Sequence, residues 1–156
     1  MERISDHAVN ITEAAEEMHQ KNMAFSADAE KEIATFSDAV REILRLSIES
    51  FIKEDGKEAV LVEPLEEVVD DLRDELKNRH VNRLREGKCT IELGFVLSDL
   101  TTNFERVADH CSNIAACLIQ TGEHDFEMHK YIHKLAKGED TPFHERYMEY
   151  RKQYTL

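Results

Sequence analysis

Tryptophan is absent from these 156 residues, and chain breakers are scarce: five glycines and two prolines. So few interruptions argue against a chain of short strands and tight turns and point to long helices. The three cysteines, Cys89, Cys111 and Cys117, form no CxxC pair and leave one unmatched. That argues against a disulfide scaffold and suits reduced thiols in a cytoplasmic setting, with the inner face of the cell membrane as one location. No apolar run approaches the roughly 20 residues that span a bilayer, and nothing resembles a signal peptide. Direct membrane insertion is therefore not expected. Basic residues are also in short supply, 20 against 33 acidic ones, for a net charge of −13. Such a surface repels nucleic-acid phosphates and anionic headgroups, so no nucleic-acid partner is expected, and it attracts divalent cations. The plainer account is that the acids keep a helical protein dispersed. Gly-x-Ser-x-Gly, P-loop and dinucleotide fingerprints are missing too. No nucleophile–base pair is visible, and the expectation is a protein without enzymatic activity.

Apolar residues recur at alternating spacings of three and four, the mark of one helical face. A first segment carries Ile4, Ala8, Ile11, Ala15 and Met18; a second carries Ala29, Ile33, Phe36, Val40 and Ile43 and continues to Phe51. Ser26 between them has the chemistry of an N-cap. A third carries Leu65, Val69, Leu72 and Leu76, and a fourth carries Leu93, Leu97, Leu100, Phe104, Val107, Cys111, Ile114 and Leu118. Asp55-Gly56, Glu86-Gly87 and Thr121-Gly122 each close a periodic run, as a C-terminal glycine does. Pro64 permits a helix that starts beside it or one that starts near Lys57 and kinks; the kinked helix is favoured. The expected fold is all-α, an antiparallel bundle of four long helices over residues 1–122. Residues 123–156 form a short helical C-terminal tail, clipped to the bundle by Phe143, Tyr147 and Tyr150.

One polar pattern occurs twice. Residues 2–11 read Glu-Arg-Ile-Ser-Asp-His-Ala-Val-Asn-Ile, and residues 105–114 read Glu-Arg-Val-Ala-Asp-His-Cys-Ser-Asn-Ile. A packing repeat would keep only its apolar positions; this one keeps Glu, Arg, Asp, His and Asn, which suggests two equivalent sites. Glu105, Asp109 and Asn113 follow one another at i, i+4 and form a stripe nearly opposite Val107 and Cys111. Glu2, Asp6 and Asn10 do the same against Ile4 and Ala8. Two carboxylates one turn apart chelate one cation or bridge two. Acids of the third segment, Glu67, Asp70 and Asp74 foremost with Glu66 and Asp71 beside them, are further candidates for the coordination shell. Hard oxygen donors suit Mg, Ca, Mn or Fe better than Cu. The competing account is a solvated face with weak surface pairs. A joint site would need the first and fourth helices, or two subunits, to bring their stripes together.

The Glu-x-x-x-Asp-x-x-x-Asn pattern at Glu2-Asp6-Asn10 and at Glu105-Asp109-Asn113 resembles the PhoU family. So do Leu65-Glu66-Glu67-Val68-Val69-Asp70 and the run from His80 to Gly87. The tail, with His129-x-Tyr131-x-His133-x-Leu135 and Gly138-Glu139-Asp140, resembles the ending of PhoU-like cytoplasmic domains fused to sodium–phosphate cotransporters. The resemblance covers nearly the whole chain. It implies an all-helical regulator built from three-helix bundles, multinuclear metal binding on the acidic stripes (Fe, Mn, Mg or Zn), and negative regulation of phosphate uptake through contact with a phosphate transporter or its membrane domain. In one respect the chain departs from the family. A complete family domain has two helices before the first motif, whereas this chain opens inside it. The expectation is a truncated domain that keeps the last helix of one bundle and all of the next. Its exposed first helix then finds a partner in a second copy, as a homodimer.

Two rivals are weaker. A purely structural interaction domain needs no metal at all. A di-iron carboxylate oxidase needs two inward Glu-x-x-His motifs, and the chain offers one, Glu16 to His19. His129 and His133, with Asp125 a turn earlier, have a spacing that holds Zn on a helix, but the glutamate of an HExxH protease is missing between them.

Overall fold

A computed structural model describes residues 2–122 and 141–156. Those residues form α1 (Glu2–Gln20), α2 (Ala27–Lys53), the single turn α3 (Gly56–Ala59), α4 (Val62–Arg85), α5 (Ile91–Gly122) and α6 (Thr141–Gln153). There is no strand among them. The four long helices are the four periodic segments of the sequence. His129, His133 and Asp125 of the tail lie outside the described residues.

Local chemistry sets the boundaries. The Ser26 hydroxyl accepts from the Ala29 amide at 3.3 Å, and Asp28 and Glu30 sit in the first turn of α2, where carboxylates complement the helix dipole. The chain leaves α2 through Glu54, a non-glycine in the left-handed region at φ 53°. Asp55 then caps the next turn, accepting from the amides of Lys57 at 2.9 Å and Glu58 at 3.3 Å. This corrects the expectation of one kinked helix from Lys57. The chain breaks at Val60–Leu61, and α4 starts afresh at Val62 with Pro64 in its first turn. A proline there costs no helical hydrogen bond, because the first amides of a helix have no intrahelical acceptor. At the other end of α4, Gly87 takes the left-handed conformation (φ 68°), and the amide of Lys88 reaches back to the Arg83 carbonyl at 2.8 Å.

Helices α2, α4 and α5 enclose the core. Phe36, Ile43, Leu65, Leu72, Leu76 and Cys111 are fully buried there, and Phe36 meets Phe104 edge-on with centroids 5.3 Å apart. Helix α4 runs antiparallel to both neighbours. Its start faces the later part of α5 (Ser112 donates to Glu63 at 2.6 Å), and its end faces the start of α2. At that second contact Glu32 is buried between two guanidinium groups. Its carboxylate accepts from Arg79 at 3.0 Å and from Arg83 at 2.8 and 3.1 Å.

Helix α1 lies antiparallel on α5. Its buried residue is Ile4, with His7, Ile11, Ala14 and Met18 half-buried. Ala8 and Ala15, which the periodicity placed on the packing face, are exposed. A helix that touches one neighbour needs only a narrow seam, and a histidine and a different alanine complete it. Helix α6 is clipped to α4. The Tyr147 hydroxyl donates to Asp71 at 2.5 Å, Arg151 donates to Glu75 at 2.7 Å, and Tyr147, Tyr150, Tyr154 and Leu156 pack on the core.

One glycine is required for space. A Cβ at Gly94 would lie 2.8 Å from Nε2 of His80, whose ring is buried at the α4–α5 turn. Gly94→Ala is expected to lower the unfolding free energy by about 1–3 kcal/mol, measured by urea denaturation.

Candidate functional site

The acids of α4 divide between two neighbours. Asp71 and Glu75 turn to α6, where Tyr147 and Arg151 hold them. The other stripe, Glu63, Glu66, Asp70 and Asp74, runs along the groove against α5, where the Glu105 and Asp109 stripe lies antiparallel to it. Because α4 and α5 are joined by the short 86–90 turn, two Glu-x-x-x-Asp pairs, Glu66–Asp70 and Glu105–Asp109, end up in one groove.

Arg73 lies across that groove. Its Nε donates to Asp74 at 3.0 Å, one of its terminal nitrogens is 3.5 Å from Asp70, and the same nitrogen is paired with Glu105. The hydrogen bond to Glu105, with Asp74 and Asp70 beside it, raises the pKa of Arg73. Asp109 has a looser neighbour, Arg106 at 3.8 Å. Glu66 has no ion pair among the described residues. Burial and the charges of Asp70, Glu63 and Asp109 push its carboxyl up to about 7. Burial likewise raises Asp70, against the pull of Arg73, and raises Glu67 beside Asp71 and Asp70. The groove therefore holds more negative charge than its arginines balance.

The donor set consists of carboxylates from two rigid helices, which suits a hard cation bound through oxygen. It is not a closed cage: among the described residues, no three His, Cys, Asp or Glu side chains converge on one point.

The α1 stripe has a different setting. Glu2, Asp6 and Asn10 are exposed, and Asn10 donates to Asn103 at 3.0 Å. What meets across the α1–α5 seam is the other half of the repeated signature. The rings of His7 and His110, which hold the same position in the two copies, lie 5.5 Å apart. Asn103 is oriented by donating to the Asp99 carbonyl at 2.8 Å, so its oxygen accepts from Nδ1 of His7 at 2.9 Å. Burial, His7 and Arg3 lower the pKa of His110, which favours a neutral His110 ring in the seam. The two copies thus face each other through their histidines and leave their carboxylate stripes in separate surroundings.

Of the residues singled out in the sequence, Glu105, Asp109 and Asp70 share the α4–α5 groove, with Asp74 at its Arg73 end. Glu67 is exposed on α4. Glu2, Asp6 and Asn10 stand apart on α1, and Asn113 is exposed, donating to the Asp109 carbonyl at 2.8 Å. Glu16 is exposed and accepts from Gln20 at 3.0 Å. Glu63 and Arg73 were not evident as site residues, and Glu66 stood only beside Glu67, Asp70 and Asp74 among the candidates. The available signal was the spacing Glu66-x-x-x-Asp70, which repeats that of Glu105-x-x-x-Asp109.

The raised Glu66 carboxyl has a consequence for stability with chelator present. Between pH 4.5, its ordinary value, and about 7, the folded protein keeps a proton that the unfolded chain has lost. Stability therefore falls as pH rises through that window. Glu66→Gln is expected to exceed wild type by about 1–2 kcal/mol at pH 8, after allowance for solvent screening, and to match it at pH 4. Urea unfolding at the two pH values measures the difference.

A model of the PhoU domain matches residues 33–118, which run from α2 to near the end of α5. The phosphate-specific transport system accessory protein PhoU homolog 1 of Thermotoga maritima is 25% identical over 143 residues, covering 90% of this chain and 61% of that protein. The chain thus spans about three fifths of that relative's length. No solved structure matches it.

Proposed function

Because the chain belongs to the PhoU family, we propose that it is a non-enzymatic regulatory domain of phosphate transport that takes a divalent or trivalent cation into its α4–α5 groove. Glu66 and Asp70 on one helix and Glu105 and Asp109 on the other are the candidate donors, and since no three such side chains among the described residues converge on one point, a cation would have to draw them together; Fe, Mn, Mg and Zn are the candidates. The observation that carries the proposal is the antiparallel pairing of two Glu-x-x-x-Asp motifs in a groove with surplus negative charge.

The function of the bound cation is electrostatic. A chain of net charge −13 repels acidic partners. Placing two or three positive charges in the groove lowers that repulsion and permits docking on a phosphate transporter at the inner face of the membrane. None of the described helices is long and apolar enough to cross a bilayer, so contact would be made with the transporter itself. The open α1 stripe, Glu2, Asp6 and Asn10, is available to a second copy, which would supply the missing donors in a homodimer.

Calorimetry with Mn2+ tests the proposal. Wild type is expected to bind, and the Asp70→Asn/Asp109→Asn variant is not. Equally negligible heats from both would overturn cation binding. The Arg73 clamp on Glu105 favours a second possibility, an interaction domain whose groove is already satisfied by its own arginine. Capture of the transporter before and after chelation separates the two, since only the first predicts loss of capture.

A further inference from the structure

We propose that the tip of the bundle formed by the α4–α5 turn docks on the surface of an anionic lipid bilayer, with Val81, Ile91 and Phe95 entering the headgroup region and Lys77 and Arg85 meeting its phosphates. This contact goes beyond cation binding in the groove and stands whether or not a cation is bound.

Three observations support it. First, large apolar side chains project into solvent at this tip: Phe95 is 70% exposed, Ile91 66% and Val81 43%. Ile91 and Phe95 are one turn apart on α5 and share a face. His80 meets Gly94 across the two helices, so the next residue on each, Val81 and Phe95, lies about 100° further round. On antiparallel helices that rotation brings both to one side, away from α2. An apolar cluster of this kind marks a contact surface. Second, the charge changes sign here. Residues 77–95 carry five basic side chains, Lys77, Arg79, Arg83, Arg85 and Lys88, against Glu86 and Glu92, in a chain of net charge −13. Arg79 and Arg83 are engaged by Glu32, and Lys88 pairs with Glu86 at 2.7 Å. Lys77 and Arg85 have no ion pair among the described residues, and they flank Val81 at i−4 and i+4 on one stripe of α4. Third, the tip stands clear of most acids. Asp70 is about 16 Å from Val81 along α4, and Asp109 about 21 Å from Phe95 along α5. Both distances exceed the Debye length of about 8 Å at physiological ionic strength, so their repulsion of an anionic surface is screened. Of the nearer acids, Asp74 is paired with Arg73 at 3.0 Å. Glu92 and Asp99 fall on the stripe of Asn103, the flank that meets α1.

Bulky apolar side chains alternating with lysine and arginine suit an interfacial contact. The apolar groups enter the boundary of headgroups and acyl chains, and the cations stay with the phosphates. The cytoplasmic leaflet supplies the negative potential. Three side chains and two free cations make a weak contact. It orients a protein already held beside the membrane and does not anchor it.

The chain contains no tryptophan, so Phe95→Trp places a lone fluorescent reporter at the tip. Phe51→Trp, at the end of α2 remote from Glu32 and the tip, is the control. Each is titrated with vesicles of phosphatidylglycerol and phosphatidylcholine in equal parts, in dilute buffer with EDTA. A blue shift is expected for Phe95→Trp and none for Phe51→Trp, with neither responding to phosphatidylcholine alone. In vesicle flotation, Lys77→Gln/Arg85→Gln and Ile91→Ser/Phe95→Ser are each expected to bind about ten-fold or more weakly than wild type. Wild type that does not float with the anionic vesicles overturns the contact. So does wild-type affinity in both variants, or a shift at Phe51→Trp in place of Phe95→Trp. The vesicles hold no transporter, so such a failure leaves the regulatory reading untouched. If wild type ignores the vesicles and Ile91→Ser/Phe95→Ser loses capture of the transporter, the patch belongs to a protein interface and the lipid contact falls.

Discussion

Glu32→Ala is expected to remove about 3–5 kcal/mol from the unfolding free energy. The carboxylate is 8% exposed and is shared by Arg79 and Arg83, one of them only 15% exposed. It bonds α2 to α4 at the end of the bundle remote from the acidic groove. Removing it leaves the Arg83 charge enclosed without a counter-ion, and that guanidinium already has its Nε and second terminal nitrogen buried without acceptors among the described residues. Arg79 is less exposed to this loss, since it also donates to Glu75 at 2.7 Å and to the Leu156 carbonyl at 2.8 Å. The cost therefore comes mainly from Arg83. Glu32→Ala combined with Arg83→Met is expected to recover most of the loss, because an apolar side chain needs no partner. Urea unfolding of the single and double variants measures both. A loss below about 1 kcal/mol for the single variant would place the trio with ordinary surface pairs.

The second large effect concerns the groove. Asp70→Asn/Asp109→Asn is expected to weaken Mn2+ binding by about 100-fold or more, because affinity for hard cations follows the charge of the ligand set and one anionic donor is lost from each helix. The amides keep the size of the side chains, so packing changes little. The same substitutions reduce repulsion among Glu66, Asp70 and Asp109. The variant is therefore expected to unfold no more easily than wild type while losing its ligand. That combination distinguishes a cation site from a stretch of acids that merely keeps the surface charged. A variant that binds Mn2+ as wild type does would remove the groove from consideration, and one that unfolds early would show that the aspartates serve packing.

Much of this arrangement can be read from the residues. The three-four spacing from Leu93 to Leu118 fixes α5 as one long helix, and Ser26 marks the start of α2, because both signals are local. The start of α4 cannot be read the same way. Pro64 is compatible with a first turn or with a kink, and the break at Val60–Leu61 depends on Asp55 capping a separate turn. The α1 seam is hidden for another reason: His7 belongs to it, and a polar residue does not register in an apolar pattern. The groove shows the deepest limit. Helical periodicity correctly sets the Glu105 stripe apart from the core, but it carries no information about which neighbour covers that stripe. Arg73, flanked by acids on its own helix, reads as a weak surface pair until α5 is laid beside it. The identical spacing of Glu66 and Asp70 is present in the chain, but it is lost within a dense run of acids.

The junction of α1 with α5 carries its own consequence. One buried side chain, Ile4, and one row of half-covered residues attach α1, whereas α2, α4 and α5 share a three-sided core. The molecule thus bears one acidic stripe lying along the α4–α5 groove and a twin on the exposed face of α1. Glu2 and Asp6 can therefore meet a partner's surface without disturbing the packing of α2, α4 and α5.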